Sequence, residues 1–312
     1  MADPILKWAG GKRQILNQIM EKFPTQEINR YHEPFFGGGA VFFREMHAKA
    51  TSINDINPRL INFYRVVNQR PEDLINEIKT INQHGPPDSK PNPEWDYDEV
   101  DEHEREIKNY YYQQRARFNK RPNGKEWDGV EEAALLLYLN VTCYNGLYRE
   151  NNSGEFNVPC GSHATRSMRF PRIREATDLL SDVEILNEDF SYILDRAEPR
   201  DLVYFDPPYD PNSEASSFSD YSCDAFGKPE QLNLRDCAKR LDEQDVFVVI
   251  SNAPSIESRY TDKDEGGSEA FETYGVGARR AINSIGTERG EVGEVLITNV
   301  EDVRMRDTTL PE

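Results

Sequence analysis

The chain has 312 residues, enough to bury one large core or a core plus a second lobe. Asp and Glu number 56 against 37 Lys and Arg, a formal net charge of −19, which excludes a uniformly basic nucleic-acid binder and implies either a cationic partner or a very salty cytoplasm. No apolar stretch approaches a membrane span, Met1-Ala2-Asp3-Pro4 lacks the regions of a secretory leader, and Cys143, Cys160, Cys223 and Cys237 show no metal-ligand spacing; a soluble cytoplasmic protein without membrane or metal is expected.

Along the chain, "KWAGGKR" (Lys7 to Arg13) approaches a phosphate-loop pattern. It has Leu6 where that pattern needs Gly, and Arg13 where it needs Ser or Thr, so an ATP site of that kind fails. Tyr31 to Phe35 reads as a short strand, followed by Gly37-Gly38-Gly39 and a helix from Ala40 to Ala48. Ser52 to Ile56 reads as a second strand, and Pro58 is well placed to start a helix running to about Val67. The character then changes. Polar helices, the segment "GPPDSKPNPEW" and a long apolar helix from Glu131 to Tyr144 fill the middle. Within it, "EWDYDEVDEHERE" (Glu94 to Glu106) reads as a solvated acidic face. Two acid-free islands carry Arg115, Arg117, Lys120, Arg121 and Lys125, then Arg166, Arg169, Arg172 and Arg174. They suit a polyanion, and equally ordinary helix-surface charge. In "CYNGLYRENNSGEFNVPCG" (Cys143 to Gly161), Asn145-Gly146 and Ser153-Gly154 are turn signals between β-formers, the pattern of a hairpin. Strands are then predicted at Val183–Leu186, Leu202–Phe205, Val246–Ile250 and Val292–Val300, with a helix over Leu232–Leu241. The fold class is α/β: a doubly wound, Rossmann-like sheet interrupted by a mostly helical insert. Its expected boundaries are residues 1–62 and 168–312 for the sheet domain and 63–167 for the insert.

"EPFFGGG" (Glu33 to Gly39) follows a strand and opens a helix, where glycines permit close approach of a ligand to backbone. Asp55, at the end of the next strand, is placed to take a ribose diol. A dinucleotide is disfavoured because Phe42 stands where the third fingerprint glycine belongs. S-adenosylmethionine remains, and its sulfonium and amine suit an acidic cradle. "VYFDPPY" (Val203 to Tyr209) ends a buried strand with prolines that cannot continue its ladder, leaving Asp206 at the carboxyl edge where ligands bind. Alone, that motif is better read as a strand cap followed by a rigid turn.

Together with "LKWAGGK", "NDINPRLINFY", "NEDF", "VVISN" and "RRAINSIGTERGEVGEVLITN", these segments give a chain that resembles the Dam-type DNA N6-adenine methyltransferases, the D12 class, in the α-group order. The resemblance implies transfer of a methyl group from S-adenosylmethionine to N6 of an adenine flipped from double-stranded DNA, with the insert as target-recognition domain. It implies catalysis by Asp206, Pro207, Pro208 and Tyr209, with Asp206 and the Pro207 carbonyl gripping the amine and Tyr209 stacking on the base. Trp8, Lys12, Glu33, Phe35, Gly37, Gly39, Asp55, Asp189, Phe190 and Asp206 would line the cofactor. In the family the hairpin enters DNA beside the target. Lys7 would reach the guanine before the adenine, Arg149 a guanine on the opposite strand, and Leu147 with Pro159 the intervening thymine methyl. Tyr144 and Asn145 would prop the vacated stack. The implied site is GATC or contains GAT. A cognate restriction endonuclease is among the partners the resemblance allows, and oligomeric state stays open. N4-cytosine methylation, and a DNA-binding module with a vestigial cofactor site, are the alternatives.

Overall fold

The computed structural model describes residues 3–46, 49–83, 102–120, 129–161, 168, 170–209, 226–278 and 292–300. The Pro-rich segment, most of the acidic run, and Arg121, Lys125, Arg166 and Arg169 lie outside them.

One seven-stranded sheet organises the chain. Its strands are β1 (Tyr31–Glu33), β2 (Ala50–Asn54), β3 (Glu184–Leu186), β4 (Leu202–Phe205), β5 (Phe247–Asn252), β6 (Glu272–Ala278) and β7 (Val292–Thr298), in the order β3-β2-β1-β4-β5-β7-β6. The first five pair in parallel, and β7 runs antiparallel to both β5 and β6. Strand β4 shows why both faces are covered: Leu202 and Tyr204 enter one apolar cluster, Val203 and Phe205 the other. That is the period-two signature of a central parallel strand. Strand order reverses between β1 and β4, so their carboxyl ends frame the crevice in which ligands of open α/β sheets bind.

The helices are α1 (Leu16–Met20), α2 (Pro58–Gln69), α3 (Pro71–Gln83), α4 (Glu102–Asn119), α5 (Gly129–Thr142), α6 (Phe170–Leu180), α7 (Lys228–Asp242) and α8 (Ser258–Thr261). Asn57 caps α2 by accepting from the backbone of Arg59 and Leu60, with Pro58 in the first turn, as the sequence predicts. Helices α2 to α6 fall between β2 and β3 in sequence. Helix α5 is apolar nearly all round, and every residue from Glu132 to Thr142 is buried. A helix of that kind needs cover on several sides, which α2, α3 and α4 supply.

Several boundaries differ from the predicted ones. Strand β1 stops at Glu33, because Pro34 has no N–H to offer the ladder. The helical stretch after the glycines contains a π-type turn, Phe42–Met46. Strand β6 was not anticipated, because Gly275 and Gly277 break its apolar pattern. It lies at the sheet edge, where a side chain at either glycine would meet open space. The hairpin is a pair of antiparallel bridges, Cys143 with Cys160 and Glu150 with Phe156. Positive φ angles at Asn145 (56°), Gly146 (68°) and Gly154 (72°) place its turns where the sequence predicts them. Among the described residues, no helix is long and apolar enough to cross a membrane.

Candidate active site

Asp206 leaves the end of β4 into a set of three charged groups. The Lys12 ammonium lies 3.0 Å from Asp206 Oδ1 and 3.1 Å from Glu294 Oε2 on β7. It also donates to the Tyr209 hydroxyl at 2.7 Å. Lys12 is 3% exposed, while Asp206 keeps 22% of its side chain open to the cleft. Burial pushes the Asp206 carboxyl up to about 6; Lys12 opposes that rise and Glu294 adds to it. Burial alone would lower Lys12, but Asp206 and Glu294 outweigh it and hold the ammonium charged. The proline turn is braced from behind. Gln231 of α7 donates to the Pro208 carbonyl at 3.3 Å, and Asn252, at the end of β5, donates to Gln231 at 2.9 Å. Glu33 faces inward from β1, buried, with the Tyr31 hydroxyl donating to it at 2.9 Å; burial raises its pKa well above the carboxylate range.

The glycine loop lies across the switch point from Asp206. Gly37 and Gly39 have φ of 49° and 66°, conformations that favour glycine. A Cβ on Gly37 would come within 2.9 Å of Trp8 Cδ1, and one on Gly39 within 2.5 Å of the Phe36 ring. Backbone and indole are therefore as close as they can be. Asp55 pins the loop: Oδ2 accepts from the Gly37 N–H and Oδ1 from the Asn57 N–H, both at 2.9 Å. Beside the loop, an aromatic wall packs on the other apolar cluster. Phe35 stacks on Phe190 at 5.3 Å, and Phe226 meets Phe35 edge-on at 5.5 Å. Asp189 is exposed and caps the turn that carries Phe190, accepting from the Ser191 N–H.

The hairpin joins this site through two contacts. Trp8 stacks on Tyr148 with centroids 4.7 Å apart. Asn140, from apolar α5, accepts from the Lys7 N–H at 2.9 Å and donates to the Lys7 carbonyl at 2.8 Å. Lys7, Tyr144, Asn145 and Pro159 are exposed, Tyr144 by 55%; Leu147 and Arg149 are half-buried. Arg149 Nε donates to Asn157 at 2.7 Å, across the hairpin.

Comparison with known proteins places the chain in a family. A family model described as D12 class N6 adenine-specific DNA methyltransferase matches residues 8–282. The chain belongs to that family. Among its relatives, a type II methyltransferase of Lactococcus lactis subsp. cremoris is 35% identical over 95% of each chain. One of Methanocaldococcus jannaschii is 36% identical over 95% of this chain and 98% of its own. A DNA adenine methylase of Escherichia coli (strain K12) is 32% identical over 93% of each. The protein is an adenine-specific DNA methyltransferase, and the cytosine and vestigial readings fall.

Within this D12 methyltransferase, sequence reasoning passed over several residues. Glu294 is an acid in the otherwise apolar run "VGEVLIT", and Asn140 a lone amide in buried α5; an interior polar group in an apolar element is the signal for both. Ile56, beside Asp55, is 70% exposed, an unusual position for a large apolar side chain at a cleft. The basic islands also take on a different cast. Arg115 donates to the Val158 carbonyl of the hairpin, Arg117 pairs with Glu131, Arg172 with Asp3 and Arg174 with Glu72. Intramolecular partners hold these arginines.

Proposed function

We propose that the protein transfers a methyl group from S-adenosylmethionine to N6 of an adenine flipped out of double-stranded DNA, within GATC or a longer site containing GAT. The observation that supports it most is the convergence at the β1/β4 switch point: Asp206, mostly buried, stands at the end of β4, and the glycine loop that follows β1 is pinned by Asp55 and closed by Trp8.

The residues present fit the cofactor. Each Asp55 oxygen accepts one backbone N–H and keeps acceptor capacity for a ribose diol. Ile56 and the Phe35–Phe190 wall offer apolar cover to an adenine ring. Trp8, Gly37 and Gly39 shape the floor, and the surrounding carboxylates suit a cation. S-adenosylmethionine, when bound, supplies the methyl group on a sulfonium.

This chain's residues do the rest. The N6 lone pair of adenine is conjugated into the ring, so it is a poor nucleophile. Asp206 and the Pro207 carbonyl accept the two N–H bonds and draw the nitrogen toward tetrahedral geometry, which frees its lone pair. The same two acceptors stabilise the positive charge that develops. Asp206 or water then takes the proton of the acidified nitrogen. Tyr209 supplies the stacking surface for a base that is unreachable inside the duplex. Lys7 and Arg149 read guanines, Leu147 and Pro159 the thymine methyl, and Tyr144 with Asn145 hold the vacated stack. Target recognition falls to residues 63–167.

Single-molecule sequencing of DNA from a methylation-free host that expresses the gene tests the reading. N6-methyladenine confined to GAT contexts is expected. Adenine modified outside any GAT context would overturn the hairpin assignments. Failure of the pure protein to bind S-adenosylmethionine would overturn the cofactor.

A further inference from the structure

The Lys12 ammonium sits among three oxygens: Asp206 Oδ1 at 3.0 Å, Glu294 Oε2 at 3.1 Å and the Tyr209 hydroxyl at 2.7 Å. Glu294 is 16% exposed and reaches this point from β7, the antiparallel strand that pairs with β5. Two carboxylates therefore share one cation in a largely dry site. The Tyr209 hydroxyl accepts a hydrogen bond from the ammonium, while Glu294 holds it by charge at ion-pair distance, its Oε2 having no hydrogen-bond partner among the described residues.

Resting on the reading of Asp206 as the N6 acceptor, we propose that Glu294 is a positioning residue for methyl transfer: it shares the Lys12 ammonium with Asp206, and so fixes the orientation and charge of the acceptor carboxylate. Without Glu294, Lys12 has one carboxylate left and turns toward Asp206. A stronger Lys12 contact lowers the electron density that Asp206 presents to the amine. It also makes Asp206 harder to protonate. With Glu294 present, the ammonium is shared, and Asp206 stays a stronger acceptor. The groups that face Asp206 are Lys12, Glu294, Tyr204, Tyr209, Glu33 and Tyr31, and Lys12 is the one cation among these. Burial and Glu294 both push the Asp206 carboxyl upward, in line with that geometry.

The sign of the effect separates this role from plain structural support. Glu294→Gln keeps the size and polarity of the side chain and removes the charge. The acid limb of kcat/KM should move down, by roughly half a unit to one unit. Glu294→Ala removes the anchor, and kcat should fall about tenfold or more while affinity for S-adenosylmethionine changes little. Asp206→Asn, assayed beside them, isolates the underlying reading. Near-wild-type turnover in that variant overturns the acceptor assignment itself. If Asp206→Asn is inactive, an acid limb in Glu294→Gln that stays put or moves up overturns the role of Glu294. Full kcat in a folded Glu294→Ala does the same. Should Glu294→Ala fail to fold, the pH profile of Glu294→Gln still decides.

Discussion

A carboxylate that must accept from a neutral amine has to be buried enough to exclude water and still remain ionised. Asp206 meets both needs at a cost to the fold. Its pKa in the folded protein, about 6, lies above the ordinary 3.8. The protonated site thus contributes stability that is fully present below about pH 4 and lost as pH rises through 6. Asp206→Asn should accordingly melt at a higher temperature than the wild type at pH 7, with no difference near pH 4, a gain of up to about 3 kcal/mol. The same variant should lose about 10²–10³ in kcat, since its amide oxygen can still accept but carries no charge to offset the positive charge that develops on the amine. Thermal melts across pH 4 to 8, paired with turnover at pH 7.5, measure both quantities. A variant that is inactive and also less stable at pH 7 would mean that Asp206 supports the fold and does not strain it.

At the scale of elements, the segment carrying Lys7 and Trp8 and the hairpin are built as one unit. Asn140 projects from buried α5 and takes both backbone groups of Lys7, while the neighbouring Trp8 stacks on Tyr148. A Cβ on Gly146 would come within 2.5 Å of the Lys7 side chain, so that chain lies directly against the hairpin turn. Asn140→Ala leaves the Lys7 backbone groups without these bonds and should cost about 1–3 kcal/mol of stability. It should also relax discrimination at the guanine before the adenine, measured by competition between GATC and singly substituted duplexes. Arg149→Ala should relax the final base pair about tenfold and spare catalysis, as expected for loss of one bidentate base contact. These couplings show what the sequence could not carry. Strand β4 and the Asn57-Pro58 start of α2 were legible, because runs of apolar residues, prolines and caps act locally. So were the hairpin turns at Asn145-Gly146 and Ser153-Gly154. Strand β6 was hidden, because its pairing with β7 comes from the edge of a finished sheet and not from its Gly-broken pattern. The Asn140 clamp joins residues 133 positions apart, and the Lys12–Glu294 contact joins the two ends of the chain; no local pattern encodes either.

For the whole molecule, the net charge of −19 has to be reconciled with a polyanionic substrate. Among the described residues, four arginines that read as candidates for DNA phosphates have partners within the protein: Arg115 the hairpin carbonyl of Val158, Arg117 Glu131, Arg172 Asp3 and Arg174 Glu72. Arginines that stay paired within the protein release no counterions on binding, and if these four do so the affinity for DNA should fall more gently with salt than the count of basic residues suggests. A protein making 6–10 phosphate contacts loses about 10³–10⁵ in affinity between 50 and 200 mM salt; a much shallower slope is expected here. Long-range repulsion between the acidic surface and the duplex moves the other way. It is strong at low salt and nearly gone at molar salt, where the Debye length is about 3 Å. The two effects together place the optimum high: affinity and turnover on a GATC duplex should persist, and thermal stability should rise, as KCl increases toward about 1 M. Titrations of DNA affinity, activity and melting temperature against KCl test this directly. Full activity at low salt, collapsing above a few hundred millimolar, would show that uncommitted basic residues dominate binding and that the acidity is no adaptation to a salty cytoplasm.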